Sequence, residues 1–467
     1  MTRKQIYLTI AALLLFTTIS GCASFSPVLQ SPVPSEDKYS GDATYHYSLA
    51  VLLRQEGKLA DAASELEQAI AADPDSLFLI TELVSLYAEK GDFKKAIPLG
   101  EEMLAKNANN GKLHMIMGGL YLHLREYKKV IKEYTKVIEL NPKNLVAYLY
   151  LATIYAEEKN YSKSEETFKK MLQIAPDNRE ARIALGLLYY EMRRFDLAIA
   201  EFSAVLEKDE TDSRIRYLLA NAYEGKGEKK LAVAEYQRIP ASFELYANAQ
   251  VHAAMIFKKD GKIPEAILVI KEAVKKKGDQ TLLYLYLSSL YEENKEMVAA
   301  ENILLEGIKI LPKSVDLHYA IGVIYEKTNR FPESLKEMEV VLSIEPDNAE
   351  ALNFIGYSYA DRDINLDEAE KMIVKALKIK PDNGYMIDSL GWVHFRQNKL
   401  DSALTNLKKA MELLPDDANV IEHLGDVYAK MGKTKEAQEM YNRAFKIDPK
   451  SSSLQKKIED VTKKNNK

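Results

Sequence analysis

Nine aromatic residues recur along this chain at one fixed spacing. Tyr87, Tyr121, Tyr155, Tyr189, Tyr223, Phe257, Tyr291, Tyr325 and Tyr359 each follow the previous one by 34 positions. A chain with such a period is built from copies of one small unit, and units of that size bury their apolar faces only by stacking. Two further marks keep the same step. A small residue sits three positions before the aromatic in most repeats (Gly118, Ala152, Gly186, Ala220, Ala254, Ser288, Gly322, Gly356), and another nine positions after it (Ala96, Val130, Ser164, Ala198, Ala232, Ala266, Ala300, Ser334). Apolar residues between these marks fall at three- and four-residue spacing, so each unit reads as two short amphipathic helices, A and B. Small residues let A and B approach closely while the aromatic fills the space above them. Asp, Asn and Pro between units (Asp73-Pro74-Asp75, Asn141-Pro142, Asp448-Pro449) end one helix and start the next.

The run Leu185-Gly186, Tyr189, Ala198, Phe202 and the run Leu424-Gly425, Tyr428, Ala437, Tyr441, Pro449 resemble the consensus of the tetratricopeptide repeat (TPR). That resemblance covers about nine-tenths of the chain. It implies an all-α solenoid, a right-handed superhelix of helix-turn-helix repeats. Twelve units begin at Ala43, Leu77, Gly111, Leu145, Arg179, Ser213, Ala247, Thr281, Val315, Ala349, Gly384 and Ala418. Leu454, Ile458 and Val461 are spaced for one last, capping helix within residues 450–467, whose lysines read as a solvated face.

Two places break the register. Pro240 interrupts helix B of the sixth unit, and one residue is inserted at Asp361-Arg362-Asp363-Ile364-Asn365. The expected organisation is therefore units 1–6 over residues 43–241 and units 7–12 over 242–449, with a bend or hinge near 240.

The N-terminus reads as an address. Arg3 and Lys4 precede a mostly apolar run from Ile6 to Phe16, shorter than the ~20 residues that span a bilayer. It ends in Ile19-Ser20-Gly21-Cys22, which resembles the lipobox of bacterial lipoproteins and implies a signal peptide over 1–21 and acylation of Cys22. The resemblance to Gram-negative lipoproteins, with Ala23 rather than Asp after that cysteine, implies sorting to the outer membrane, periplasmic face. Residues 22–42 carry Pro27, Pro32 and Pro34 among serines, a tether that spans about 60 Å when extended. Cys22 is the one cysteine, which excludes an intramolecular disulfide and a thiolate metal site.

In TPR arrays the A helices line the concave face. The resemblance therefore places Tyr47, Tyr150, Tyr190, Tyr217, Tyr286, Tyr319, Phe354, Tyr357, Trp392 and Phe395 toward a partner-binding groove, the alternative for each being packing between helices. Glu89, Glu157, Glu191, Glu293 and Asp361 put acids at A-helix C-termini, against the macrodipole. This reads either as a solvated rim or as a means of repelling carboxylate tails or attracting a basic partner, and His123, Lys259, Lys327, Arg396 and Lys430 at the equivalent position elsewhere leave the charge along the groove mixed. The two-carboxylate clamp of chaperone-tail-binding TPR proteins is absent.

Catalysis and cofactors find little support. None of the seven histidines sits in a ligand pair such as H-E-x-x-H. Asp388, Ser389 and His394 do not share a helix face in triad geometry, and His394 holds the structural aromatic slot. With 64 basic and 69 acidic residues the chain lacks the basic excess of a nucleic-acid binder. No cofactor is expected.

The last units (Ile355-Gly356-Tyr357-Ser358-Tyr359-Ala360-Asp361-Arg362, Asp388-Ser389-Leu390-Gly391-Trp392, Glu422-His423-Leu424-Gly425-Asp426) resemble large proteobacterial TPR lipoproteins. That family includes an outer-membrane adaptor of a carboxy-terminal processing protease. The resemblance implies a non-catalytic scaffold that holds a periplasmic protease, its cell-wall hydrolase substrates, or both. The alternative is an assembly lipoprotein for a pilus, secretin or exopolysaccharide exporter.

Overall fold

The computed structural model describes residues 42–465, and the expectations for the signal peptide, Cys22 and most of the tether lie outside them. All regular structure among the described residues is helical. Two compact units divide the chain, one ending at Ile239 and one beginning at Pro240.

The first unit holds six hairpins. They are α1 (Ala43–Gln55) with α2 (Leu59–Ala72), α3 (Leu77–Lys90) with α4 (Phe93–Lys106), and α5 (Gly111–His123) with α6 (Tyr127–Leu140). Then follow α7 (Leu145–Glu157) with α8 (Tyr161–Ile174), α9 (Arg179–Glu191) with α10 (Phe195–Leu206), and α11 (Ser213–Lys226) with α12 (Lys229–Gln237). The second unit holds six more: α13 (Tyr246–Lys259) with α14 (Ile263–Lys276), α15 (Thr281–Glu293) with α16 (Met297–Ile310), and α17 (Val315–Lys327) with α18 (Phe331–Ile344). It continues with α19 (Ala349–Asp361) and α20 (Leu366–Ile379), α21 (Gly384–Arg396) and α22 (Leu400–Leu413), α23 (Ala418–Lys430) and α24 (Thr434–Ile447), and closes with α25 (Ser452–Asn465). Odd-numbered helices up to α23 are the A helices and even-numbered ones the B helices. Each A helix packs on its own B helix, and within a unit several also touch the next A helix. The A helices start where the sequence places them, except that α13 begins one residue early.

Asn or Asp starts most of the A helices by accepting backbone N–H groups. The Asn178 side chain accepts from Ala181 N at 2.8 Å and that of Asn348 from Ala351 N at 2.9 Å. Such caps satisfy donors that a helix start leaves open. Every A–B turn is closed in one way. A residue one or two positions past the A helix takes a left-handed conformation, and the next N–H reaches back to the carbonyl of the period-marking residue, as in Asn160 N to Tyr155 O at 2.8 Å and Arg194 N to Tyr189 O at 2.8 Å. This is the six-to-one closure of a helix C-terminus. The left-handed residue is Gly at 57, 91, 227, 261 and 432, but Arg125, Lys159, Arg193, Lys295, Asn329, Asp363 and Asn398 elsewhere. The inserted residue adds a second one, Asn365 at φ 48°, just before α20.

Across several hairpins a small A-helix residue receives a large B-helix side chain. A Cβ on Gly186 would stand 2.6 Å from the Phe202 ring, and one on Gly118 would stand 2.7 Å from Tyr134. Both rings are buried. Where the small residues are serines on the B helix, they bond the facing backbone: Ser164 Oγ donates to Ala152 O at 2.7 Å and Ser334 Oγ to Gly322 O at 2.8 Å.

A second tie, which the periodicity alone did not reveal, joins A to B through polar side chains. The fourth position of several A helices is basic and meets a glutamate 19 residues on: His46 with Glu65 (2.6 Å), His114 with Glu133 (2.5 Å), Arg182 with Glu201 (2.9 Å), Arg216 with Glu235 (2.6 Å) and His318 with Glu337 (2.6 Å). His114, Arg216 and His318 also bond a carbonyl six residues back, pinning the loop that enters the helix. Three of the seven histidines are thus structural.

Helix α12 stops after nine residues because Pro240 follows closely, removing an N–H donor and disfavouring helix at Ile239. At the other end Leu454 and Val461 of α25 are buried against Met440 and Tyr441 of α24. Lys457 of that helix is not merely solvated. It bonds Glu422 and Asp426 of α23, each at 2.7 Å.

Candidate partner-binding groove

The proposed groove aromatics take different roles in the two units. In the first, Tyr150 stacks on buried Tyr134 at 5.1 Å, Tyr190 meets Phe195 edge-on at 5.6 Å, and Tyr217 is buried against Tyr236 at 5.8 Å. These rings pack largely within and between hairpins. Tyr47 meets Phe78 at 5.1 Å, and Phe78 is 53% exposed, so the first hairpins leave apolar surface open.

In the second unit Tyr286 is half-buried, and its hydroxyl is enclosed with no partner among the described residues. Further along, Tyr319, Phe354 and Tyr357 come together from α17 and α19. Tyr319 and Phe354 meet edge-on at 6.0 Å, and Tyr357 faces His423 at 6.4 Å. His423 stacks on Trp392 at 4.3 Å, and Trp392 stacks on Phe395 at 4.9 Å. Trp392 is buried and Phe395 half-buried. A cavity of about 300 Å³ opens among these side chains, lined from four successive A helices: Tyr319, Asn353 with Phe354 and Tyr357, Tyr385 with Asp388, and Asn419 with His423. Its volume lies at the small end of ligand pockets. Tyr385 at the cavity is 58% exposed.

The polar members of this site were not picked out as groove residues from the sequence. Asp388 does not face His394. Its carboxylate meets His423 Nδ1 at 3.0 and 3.1 Å, one A helix further on. His394 is drawn instead toward the B side by Asn406 (3.0 Å) and Glu370 (3.3 Å). The Lys399 ammonium beside Glu370 holds its carboxyl near 2. The available signal was the offset itself: residues 35 apart lie on neighbouring A helices one position out of register. Burial pulls the His423 imidazole down, but Asp388, Asp426 and Glu422 together outweigh it and hold its pKa above the ordinary value. Tyr357 is pushed up to about 12, first by burial and then by Asp361, Asp388, Glu422 and Glu326. The site is therefore aromatic, open to solvent and negative.

The acid rim resolves differently from either sequence reading. Glu89 pairs with Arg54 at 2.6 Å and Glu293 with Lys258 at 2.5 Å. Glu191 accepts from the Tyr161 hydroxyl at 3.3 Å, and Glu157 from the Tyr127 hydroxyl. These four are ties between neighbouring hairpins. Asp361 makes no such contact among the described residues.

No set of three His, Cys, Asp or Glu side chains among the described residues is placed to hold a metal ion. No helix among them is long and apolar enough to cross a membrane.

Two family models, both described as tetratricopeptide repeat, match this chain, one at residues 53–118, 125–188 and 394–458 and the other at 183–247. A TPR repeat-containing protein of Pseudomonas aeruginosa is 35% identical over 153 residues, 32% of this chain and 26% of that protein. The match thus spans about a quarter of that relative's length. Among solved structures, the APC/C hetero-tetramer Cut9–Hcn1 aligns over 90% of this chain and 96% of its own at 12% identity and a TM-score of 0.44. Yeast Tom70 aligns over 92% and 95% at 16% identity and a TM-score of 0.38. A tetratricopeptide repeat protein from Parabacteroides merdae aligns over 53% and 98% at 20% identity and a TM-score of 0.38.

Proposed function

Because this chain belongs to the tetratricopeptide-repeat proteins, we propose that it is a non-catalytic scaffold that holds segments of other proteins against the A helices of its repeats. One observation carries this reading most directly: the cavity between α17 and α23, lined by four consecutive A helices and left unfilled by the chain's own side chains. Large, stiff aromatic side chains around such a cavity give contact area at small entropic cost.

The finer reading places the scaffold in the bacterial envelope, held by acyl chains on Cys22 at the periplasmic face of the outer membrane. There it links a processing protease to cell-wall hydrolases. Support comes from the lipobox-like Ile19-Ser20-Gly21-Cys22 and from the likeness of the last units to proteobacterial TPR lipoproteins.

Lipidation is tested by metabolic labelling with an alkynyl fatty acid. Cys22 should carry the label, and Cys22→Ala should abolish it; label retained on the variant removes the anchor. The partner is tested by affinity capture from envelope extract with residues 23–467, beside a Phe354→Ala/Tyr357→Ala variant. A processing protease or cell-wall hydrolases recovered by the parent and lost by the variant is the expected result. Secretin, pilus or polysaccharide-export components in their place establish the assembly role instead.

A further inference from the structure

The cavity of the second unit has a chemistry more specific than that of a general protein-binding surface. Its aromatic wall is Tyr319, Phe354 and Tyr357. Five carboxylates act on Tyr357 and His423 beside it: Glu326, Asp361, Asp388, Glu422 and Asp426. The cations that answer them are fewer. Arg362 takes one oxygen of Glu326 at 2.8 Å, Lys457 bridges Glu422 and Asp426, and His423 takes Asp388. Arg396 and Lys430 stand elsewhere, over Trp392 and Phe395. Negative charge is therefore left in excess next to aromatic faces.

Hydrogen bonding points the same way. Asn353 lines the cavity, and its buried Oδ1 has no donor among the described residues. A buried acceptor left unmet costs about 1–3 kcal/mol, and a ligand N–H removes that cost once the Asn353 amide turns toward the cavity.

We propose that this cavity receives an arginine side chain carried on an extended segment of a partner protein. A guanidinium is flat, stacks on aromatic rings, carries five donors in a fixed fork and is more weakly hydrated than an ammonium. These properties meet the rings, the Asp388 carboxylate at the cavity with the four others that act on Tyr357 and His423, and the unmet Asn353 carbonyl. This inference rests on the scaffold reading above and names what its partner presents.

Trp392 is the chain's one tryptophan and stacks on His423, so intrinsic fluorescence of the full chain reports on the site. The probes are a capped Gly-Ser-Arg-Ser-Gly peptide and its counterpart with citrulline, which has the same shape without the charge. The arginine peptide should give a saturable change with a Kd of about 1 mM or tighter, and the citrulline peptide should bind at least about 10-fold more weakly. Raising the salt should weaken the first and not the second.

Two variants guard against a merely structural effect. Asp361→Asn, at an exposed position without an ion-pair partner among the described residues, and Phe354→Leu should each weaken the arginine peptide several-fold while leaving the circular-dichroism melt in place. Equal binding of the two peptides, or no saturation by the arginine peptide at about 5 mM, overturns the proposal. Partner capture that depends on the groove but fails this peptide test removes only the arginine assignment. Arginine binding with no groove-dependent partner removes the scaffold reading instead.

Discussion

Lys159 occupies a left-handed turn position with φ 59° where the equivalent residue in other repeats is Gly91 or Gly227. Its side chain is exposed, so its backbone strain is not offset by burial. A left-handed residue with a Cβ costs about 1–2 kcal/mol, part of which glycine returns as unfolded-state entropy. Lys159→Gly should therefore stabilise the chain by up to about 1 kcal/mol in urea titrations; a loss of stability there argues that Lys159 has a contact that matters. His423 gives a prediction with a sign. Its surroundings are Asp388 on α21, Tyr357 on α19, Glu422 and Asp426 on its own helix, and Lys457 on α25 bonded to both of the latter. Because its folded pKa is raised, its contribution to stability is complete below the unfolded value of about 6.5 and fades as pH climbs through the folded value. Between pH 6 and 9 Trp392 emission should titrate with a midpoint above 6.5, and His423→Gln should flatten the curve. A midpoint below 6.5 contradicts the charge pattern drawn for the site.

Single hairpins depend on one large side chain seated on one small one. Phe202 is fully buried with its ring against Gly186. Phe202→Ala should cost about 3–5 kcal/mol. Gly186→Val, which overpacks the same contact, should cost about 1–3 kcal/mol. Hydrogen exchange should show the loss concentrated in α9, α10 and their immediate neighbours, since repeats couple to their neighbours and little beyond. Protection lost evenly over the first unit would mean that its hairpins open together.

A stack of repeats has no closed core, so its last hairpin is only as stable as what covers it. Here α25 buries Leu454 and Val461 and supplies Lys457 to two carboxylates of α23. Removing residues 450–467 exposes the apolar face of α24 and strips Glu422 and Asp426 of their cation. The shortened chain should lose about 3–5 kcal/mol at its C-terminal end, seen as early exchange in α23 and α24. It should also shift Trp392 emission, because His423 then faces unneutralised acids. Unchanged exchange in α23 and α24 would leave α25 without the capping role given to it.

The period of 34, the twelve starts, the small-on-large contacts and the cap were legible in the sequence because they repeat: each copy corrects the reading of the others. The turn residues repeat as well, yet the backbone conformation they share is hidden wherever Arg, Lys or Asp stands in place of Gly. The candidate site was legible only in part. Tyr319, Phe354 and Tyr357 follow from their places on A helices, whereas Asn353, Asp388, His423 and Lys457 come from four different helices and belong together only once α17 to α25 are stacked. Which aromatic is core and which lines a cavity, and which acid is a tie between hairpins and which is left free, depends on neighbours 28 to 35 residues away. Local periodicity determines that helices form and pair. Side-chain reach across the stack decides what the paired helices leave open.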